Sequence, residues 1–169
     1  MPELPDITVY VEALSDRMSC RQLRAIRFFG PFLLRTANPP IASAHDRRIE
    51  RVHRIGKQIV FDLEGALHLV LHLMVAGRLQ WSKPGVRPPG KIGLAAFDVD
   101  EGTLLLTEAS SRKRASLHLV AGVEGLRTMN RGGLELETAT VAQFVEALRR
   151  ENHTLKRSLT DPRLFSGIG

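Results

Sequence analysis

From residue 22 to residue 120 the chain is a succession of short strand-like segments, each stopped by glycine, proline or acidic turn residues. This rhythm limits the fold more than any other feature. The segments run over 22–29, 31–36, 48–54, 58–63, 66–73, 77–81, 92–99, 103–107 and 115–120. Short apolar segments broken this often fit an antiparallel sandwich or barrel. Residues 82–91, SKPGVRPPGK, read as a proline- and glycine-rich surface loop.

A helix is expected on either side of this region. Over residues 5–18, Ile7, Val11, Leu14 and Met18 repeat at helical spacing and mark a core-facing stripe. Pro5 suits the first helical position, and Asp6 faces the positive end of the dipole. Residues 138–152 are amphipathic, with Val141, Phe144, Val145 and Leu148 on one face and Thr138 or Thr140 as the cap. Residues 155–169 begin as a helix, break at Thr160-Asp161-Pro162, and stop on Gly-Ile-Gly. The expected fold is therefore α+β: an N-terminal helix packed on an antiparallel β-sandwich over 1–135, then the start of a helical unit over 136–169. The ending on Gly-Ile-Gly suggests a fragment, or a helical domain whose remainder is missing.

With 169 residues, 43% of them apolar and 25% charged, the chain has an ordinary globular balance. Lysine and arginine number 24 against 18 acids, a formal charge of +6, and arginine predominates. Guanidinium binds phosphate oxygens bidentately, so the balance leans towards a phosphate-bearing partner. Charge alone sets nucleic acid only slightly ahead of an unspecialised basic surface. Cys20 is the single cysteine, which excludes an internal disulfide and a CxxC metal site. That usage fits a reducing cytoplasm. The N-terminus lacks the pattern of a signal peptide, and no apolar run is long enough to span a bilayer. No membrane association is expected.

Four stretches could carry chemistry. The chain opens MPELPDI. If Met1 is removed, Pro2 presents a secondary amine, which attacks an electrophilic carbon and gives an iminium ion with a sugar aldehyde. Glu3, beside it, could donate or shuttle protons. The plainer reading is that Pro2 and Pro5 stiffen the helix entry and Glu3 meets the dipole. Lys57 follows Gly56 at a tight turn, fit to bind phosphate or assist at a sugar, or simply an exposed turn lysine. Met74 and Val75 precede Ala76-Gly77, so either an apolar tip wedges into a base stack or both residues serve the core. Arg112, Lys113 and Arg114 lie between two strands, as a phosphate grip that fills a vacated base position or as a solvated hairpin. His68, His72 and His118 alternate with apolar residues and read as hydrogen-bonded structural histidines, not metal ligands.

Together these stretches resemble the formamidopyrimidine-DNA glycosylase / endonuclease VIII family. The family's Pro-Glu-Leu-Pro-Glu-Val start is similar to residues 2–7, PELPDI. Its Arg-x-Gly-Lys turn matches Arg54-Ile55-Gly56-Lys57, and its His-Leu-Gly-Met-x-Gly-x-Leu turn resembles residues 72–79. Its Lys…Gly-Ile-Gly-Asn segment resembles residues 156–169, ending just before the asparagine. The resemblance implies base excision with AP-lyase cleavage: Pro2 attacking C1′ of a damaged nucleotide, Glu3 donating the proton, and Lys57 and Lys156 at the lesion or phosphate site. It implies as partner double-stranded DNA carrying damaged bases or abasic sites, a wedge at Met74 and Val75, and gap-filling by Arg112 and Arg114. A monomer is expected. No cofactor or metal is expected in this chain; zinc would belong to a C-terminal finger beyond it.

Three positions depart from the family pattern. Asp6 is one methylene shorter than the usual glutamate. Val75 aligns with the wedge methionine, while Met74 takes a glycine's place. Arg114 stands for a phenylalanine in the intercalating loop, although Arg112 keeps the arginine. Besides a glycosylase with AP-lyase chemistry, two other readings stand: a damaged-DNA-binding paralogue without efficient catalysis, and a β domain serving as an interaction module.

Overall fold

A computed structural model describes residues 2–169. Helix α1 (Leu4–Met18) buries Ile7, Leu14 and Met18, three of the four residues in the expected stripe. Its entry is capped by Asp6, whose Oδ2 accepts the Glu3 backbone N–H at 2.8 Å, so the shorter carboxylate still reaches the cap. Eight antiparallel strands follow: β1 (Gln22–Phe28), β2 (Arg47–Ile55), β3 (Gln58–Leu63), β4 (Leu67–His72), β5 (Gly77–Ser82), β6 (Gly93–Val99), β7 (Gly102–Glu108) and β8 (Ser116–Ala121).

The strands form one sheet in the order β5-β7-β6-β1-β2-β3-β4-β8. Strand β1 pairs with β2 only at Gln22↔Arg48 and Leu23↔Arg47, and there the sheet turns its corner. The two halves then face each other across a core to which every strand and α1 contribute, with the Phe61 and Phe97 rings 6.3 Å apart. This is the expected α+β arrangement of a helix on an antiparallel sandwich.

The segment 31–36, expected as a strand, is not one. Pro31 interrupts it, and its backbone bonds on one side only. Leu117 N–H donates to Leu33 O and Arg35 N–H to Leu117 O, both at 2.9 Å, as an isolated parallel bridge. It thus covers the start of β8, which would otherwise be a free sheet edge.

Helix α2 (Gly122–Met129) was not legible in the sequence. Leu126 and Met129 press it onto Val60, Val70 and Val120, sealing the outer face of β3, β4 and β8. The chain ends in a small third core. Strand β9 (Leu134–Glu135) pairs in parallel with β10 (Phe165–Ser166), and α3 (Val141–Arg149) and α4 (Leu155–Thr160) lie between them in sequence. Ala147, Leu164 and Phe165 are buried there, and the Phe144 and Phe165 rings stand 4.9 Å apart. Thr140 caps α3 and pairs reciprocally with Gln143.

Candidate active site

The site begins at the β2–β3 turn. Gly56 adopts φ +56°, a left-handed conformation that turns the chain sharply and sends Lys57 back towards the start of α1. Lys57 Nζ lies 2.6 Å from Glu3 Oε2, and the lysine side chain is only 13% exposed. Pro2, immediately before Glu3, is buried. Met1, whose removal the Pro2 chemistry requires, lies outside the described residues.

The C-terminal Gly-Ile-Gly closes over this corner. A Cβ on Gly56 would stand 3.0 Å from Ser166 Oγ, and one on Gly167, at φ +86°, would stand 3.1 Å from the Leu4 side chain. Glu135 ties the same parts together. Its carboxylate accepts from Arg54 Nη1 at 3.0 Å, from the Ser166 hydroxyl and from the Gly56 backbone. Burial opposes its ionised form, but these donors prevail and hold it below the ordinary carboxyl range. Arg54 also reaches Glu137 at 2.8 Å. The arginine of the Arg-Ile-Gly-Lys turn is therefore a structural tie between the sandwich and the C-terminal unit, while the lysine faces the site.

A cavity of about 350 Å³ opens beside this corner, a volume suited to a small ligand or a single extruded group. Lys57, Gln58, His72, Met74, Asn130 and Arg131 are among its walls, with Gly167–Gly169 at its edge. Of the residues singled out in the sequence, the structure thus gathers Glu3, Lys57 and Met74, with Pro2 adjoining. Lys156 is exposed on α4, four positions before Thr160, which lines the cavity. Val75 is exposed at the tip of the β4–β5 turn. Gly77 N–H donates to Leu73 O at 2.9 Å in that turn, and a Cβ on Gly77 would fall 2.3 Å from the same oxygen. Met74 holds φ +54°, a conformation glycine takes more readily, in keeping with the glycine it replaces.

Arg112 and Arg114 stand away from the cavity, exposed on the loop between β7 and β8. Glu108, at the end of β7 and almost fully buried, fixes that loop. Its carboxylate accepts the backbone N–H groups of Arg114, at 2.9 Å, and Ala115, at 3.1 Å. Its own carbonyl accepts from Lys113 Nζ.

Two of the three sheet histidines, His68 and His72, differ in role. His68 Nδ1 meets Asp62 Oδ1 at 2.7 Å and is structural, as expected. His72 instead lines the cavity. Burial pushes its pKa down, and the nearby charges of Arg131, Lys57 and His118 push the same way, so the ring is neutral at neutral pH. Gln58, Asn130, Arg131 and the anchoring Glu108 were missed in the sequence. The position of His72 in the 72–79 turn was the one signal that could have found it.

Glu151, His153 and Asp161 bring ligand atoms within 4.8 Å of one another, but Arg163 already pairs with Asp161 at 2.7 Å and reaches Glu151 at 3.5 Å. A zinc finger does not fit these residues, whose only cysteine is the exposed Cys20.

Residues 1–119, from the N-terminus through most of β8, match the family model described as the formamidopyrimidine-DNA glycosylase N-terminal domain. The chain belongs to that family. A formamidopyrimidine-DNA glycosylase of Solibacter usitatus (strain Ellin6076) is 30% identical over 171 residues, covering all of this chain and 61% of that protein. One from Lactobacillus gasseri is 28% identical, covering all of this chain and 62% of the relative. The chain thus spans about three fifths of these glycosylases. Among solved structures, the complex of Lactococcus lactis Fpg with DNA containing an abasic site superposes with a TM-score of 0.85. It covers 99% of this chain and 63% of the other at 22% identity. An inhibited form of that protein with DNA containing N7-benzyl-Fapy-dG gives 0.87. These likenesses establish the glycosylase fold.

Proposed function

We propose that the chain is the catalytic part of a base-excision DNA glycosylase that also cleaves the strand as an AP lyase, acting on damaged or abasic DNA. The observation that carries this reading is the Glu3–Lys57 pair, an acid and an amine held 2.6 Å apart beside Pro2 at the rim of a cavity. In this reading the N-terminal proline nitrogen attacks C1′ of the nucleotide. The C1′–N bond breaks, and its electron pair leaves with the base, which takes up a proton. Glu3 delivers a proton to the ring oxygen as the sugar opens, leaving an iminium ion on Pro2. Loss of a C2′ proton then expels the 3′ phosphate. Lys57, His72 and Arg131 line the cavity, where an ammonium, a neutral imidazole N–H and a guanidinium suit phosphate oxygens. An oxidised or missing base is cheaper to extrude than a sound pair, which favours damaged sites.

Borohydride reduction tests the covalent step. The processed protein is expected to form a trapped complex with DNA carrying an abasic site, and Pro2→Gly to lose most of that trapping. Equal trapping by both proteins, or none by either while DNA is still bound, favours the damaged-DNA-binding paralogue.

A further inference from the structure

We propose that Phe32 is a base-stacking site, placed beside the Arg112–Arg114 loop to receive the face of an unpaired nucleobase. The inference rests on the DNA-repair reading above and adds a residue to it.

Phe32 is 72% exposed, the most exposed aromatic side chain among the described residues. A single exposed apolar residue is ordinary; its setting distinguishes this one. The backbone beneath it is held firmly. Gly30 packs so closely on Leu94 that a Cβ would stand 2.9 Å from that side chain. Pro31 has a fixed φ of its own and restricts Gly30 before it, Leu33 is buried, and Leu33 O and Arg35 N–H are both bonded to Leu117. Phe32 therefore stands on a rigid pedestal, and little of its backbone freedom remains to be lost on binding.

The parallel bridge Leu34↔Leu117 holds this segment against the start of β8. Phe32, Lys113 and Ala115 line one small cleft. Lys113 is drawn inward to the Glu108 carbonyl, whereas Arg112 and Arg114 remain exposed. Among the described residues neither guanidinium has an acidic partner within ion-pair distance. Phe29, by contrast, already has Arg27 over its ring at 5.8 Å. A fixed aromatic face beside a loop that carries two free arginines combines the two elements that hold a nucleic-acid strand: stacking for a base and cations for its phosphates. An acidic peptide would use the arginines but leave the ring without a partner of matching shape.

The test is equilibrium binding of the processed protein to a duplex that carries an abasic-site analogue with 2-aminopurine opposite it. Phe32→Ala is expected to weaken binding about 5- to 150-fold, the range alanine substitution gives for a stacked base. Its salt dependence should stay that of the parent, because no charge is lost, and its melting temperature should stay unchanged. Phe32→Trp is expected to restore affinity. The 2-aminopurine fluorescence should be quenched by the parent and by Phe32→Trp, and not by Phe32→Ala. Binding and quenching by Phe32→Ala equal to the parent overturn the inference and leave the glycosylase reading intact, as does a loss that Phe32→Trp does not repair. A parent that does not bind this duplex and does not trap one carrying a true abasic site overturns both.

Discussion

The chain carries two basic regions, and they are built in opposite ways. At the α1 corner the functional groups are held by one another: Lys57 by Glu3, and the surrounding turn by Arg54, Glu135 and Ser166. At the 109–115 loop the side chains of Arg112 and Arg114 are free, and only the backbone is held, through the buried Glu108. The first construction is one that suits a reacting bond, where misplacement is costly. The second fixes a path for the chain and leaves long cations to find phosphates of variable position. On the proposed reading, chemistry is concentrated in the corner, and grip is delegated to the loop.

Breaking the corner should give the largest effect. Lys57→Met removes the amine that orients Glu3 and a cation from the cavity wall. Borohydride trapping should slow about 100-fold or more, while the melting temperature moves little, because Glu3 is partly exposed and regains water. Unchanged trapping would make the pair an ordinary ion pair and erase the contrast.

Breaking the loop should act the other way round. Glu108→Ala leaves the buried Ala115 N–H and the part-buried Arg114 N–H without their acceptor, at a cost of about 1–3 kcal/mol in stability. DNA affinity should fall, yet trapping at saturating DNA should keep the parent's rate. A drop in that saturated rate would show that the loop also positions the reacting sugar.

What the sequence revealed follows the same division. Helix α1 was legible because it buries one face, which imposes a period, and the eight long strands because each apolar segment is stopped by glycine, proline or acidic turn residues. The 31–36 segment misled because Leu33 and Leu34 look like strand residues, whereas their backbone serves only to cover β8. Helix α2 was hidden by Gly122 and Gly125 and has no buried residue of its own. Strands β9 and β10 are two residues each and exist only because they pair. In the site, Glu3 and Lys57 could be singled out by residue type and local setting. The cavity walls Gln58, His72 and Asn130 come from three elements that only the fold brings together. Glu108 was illegible for a simpler reason: a buried acceptor of backbone N–H groups has no sequence pattern.

The smallest expected effect is a pH dependence that belongs to the corner and its neighbours. His72 and His118 both have pKa values lowered from 6.5, chiefly by burial, with Arg131 and Lys57 acting on His72 and Arg35 on His118. Each binds its proton more weakly folded than unfolded. Their contribution to stability is therefore complete above 6.5 and is withdrawn as pH falls towards the folded values. Asp62, Asp98 and Glu135 have lowered values too, from 3.8, 3.8 and 4.5, so they withdraw stability only below about 4.5. Between 4.5 and 6.5 the histidine contribution is separable from that of these carboxylates. Chemical denaturation across this window should show the parent losing stability with acid and His72→Gln losing less. Because Lys57 is one cause of the His72 shift, Lys57→Met should also shallow the slope, whereas Glu108→Ala should lower the whole curve without changing its shape. A slope flattened by the Glu108 change instead would mean that the corner and the loop are one electrostatic unit.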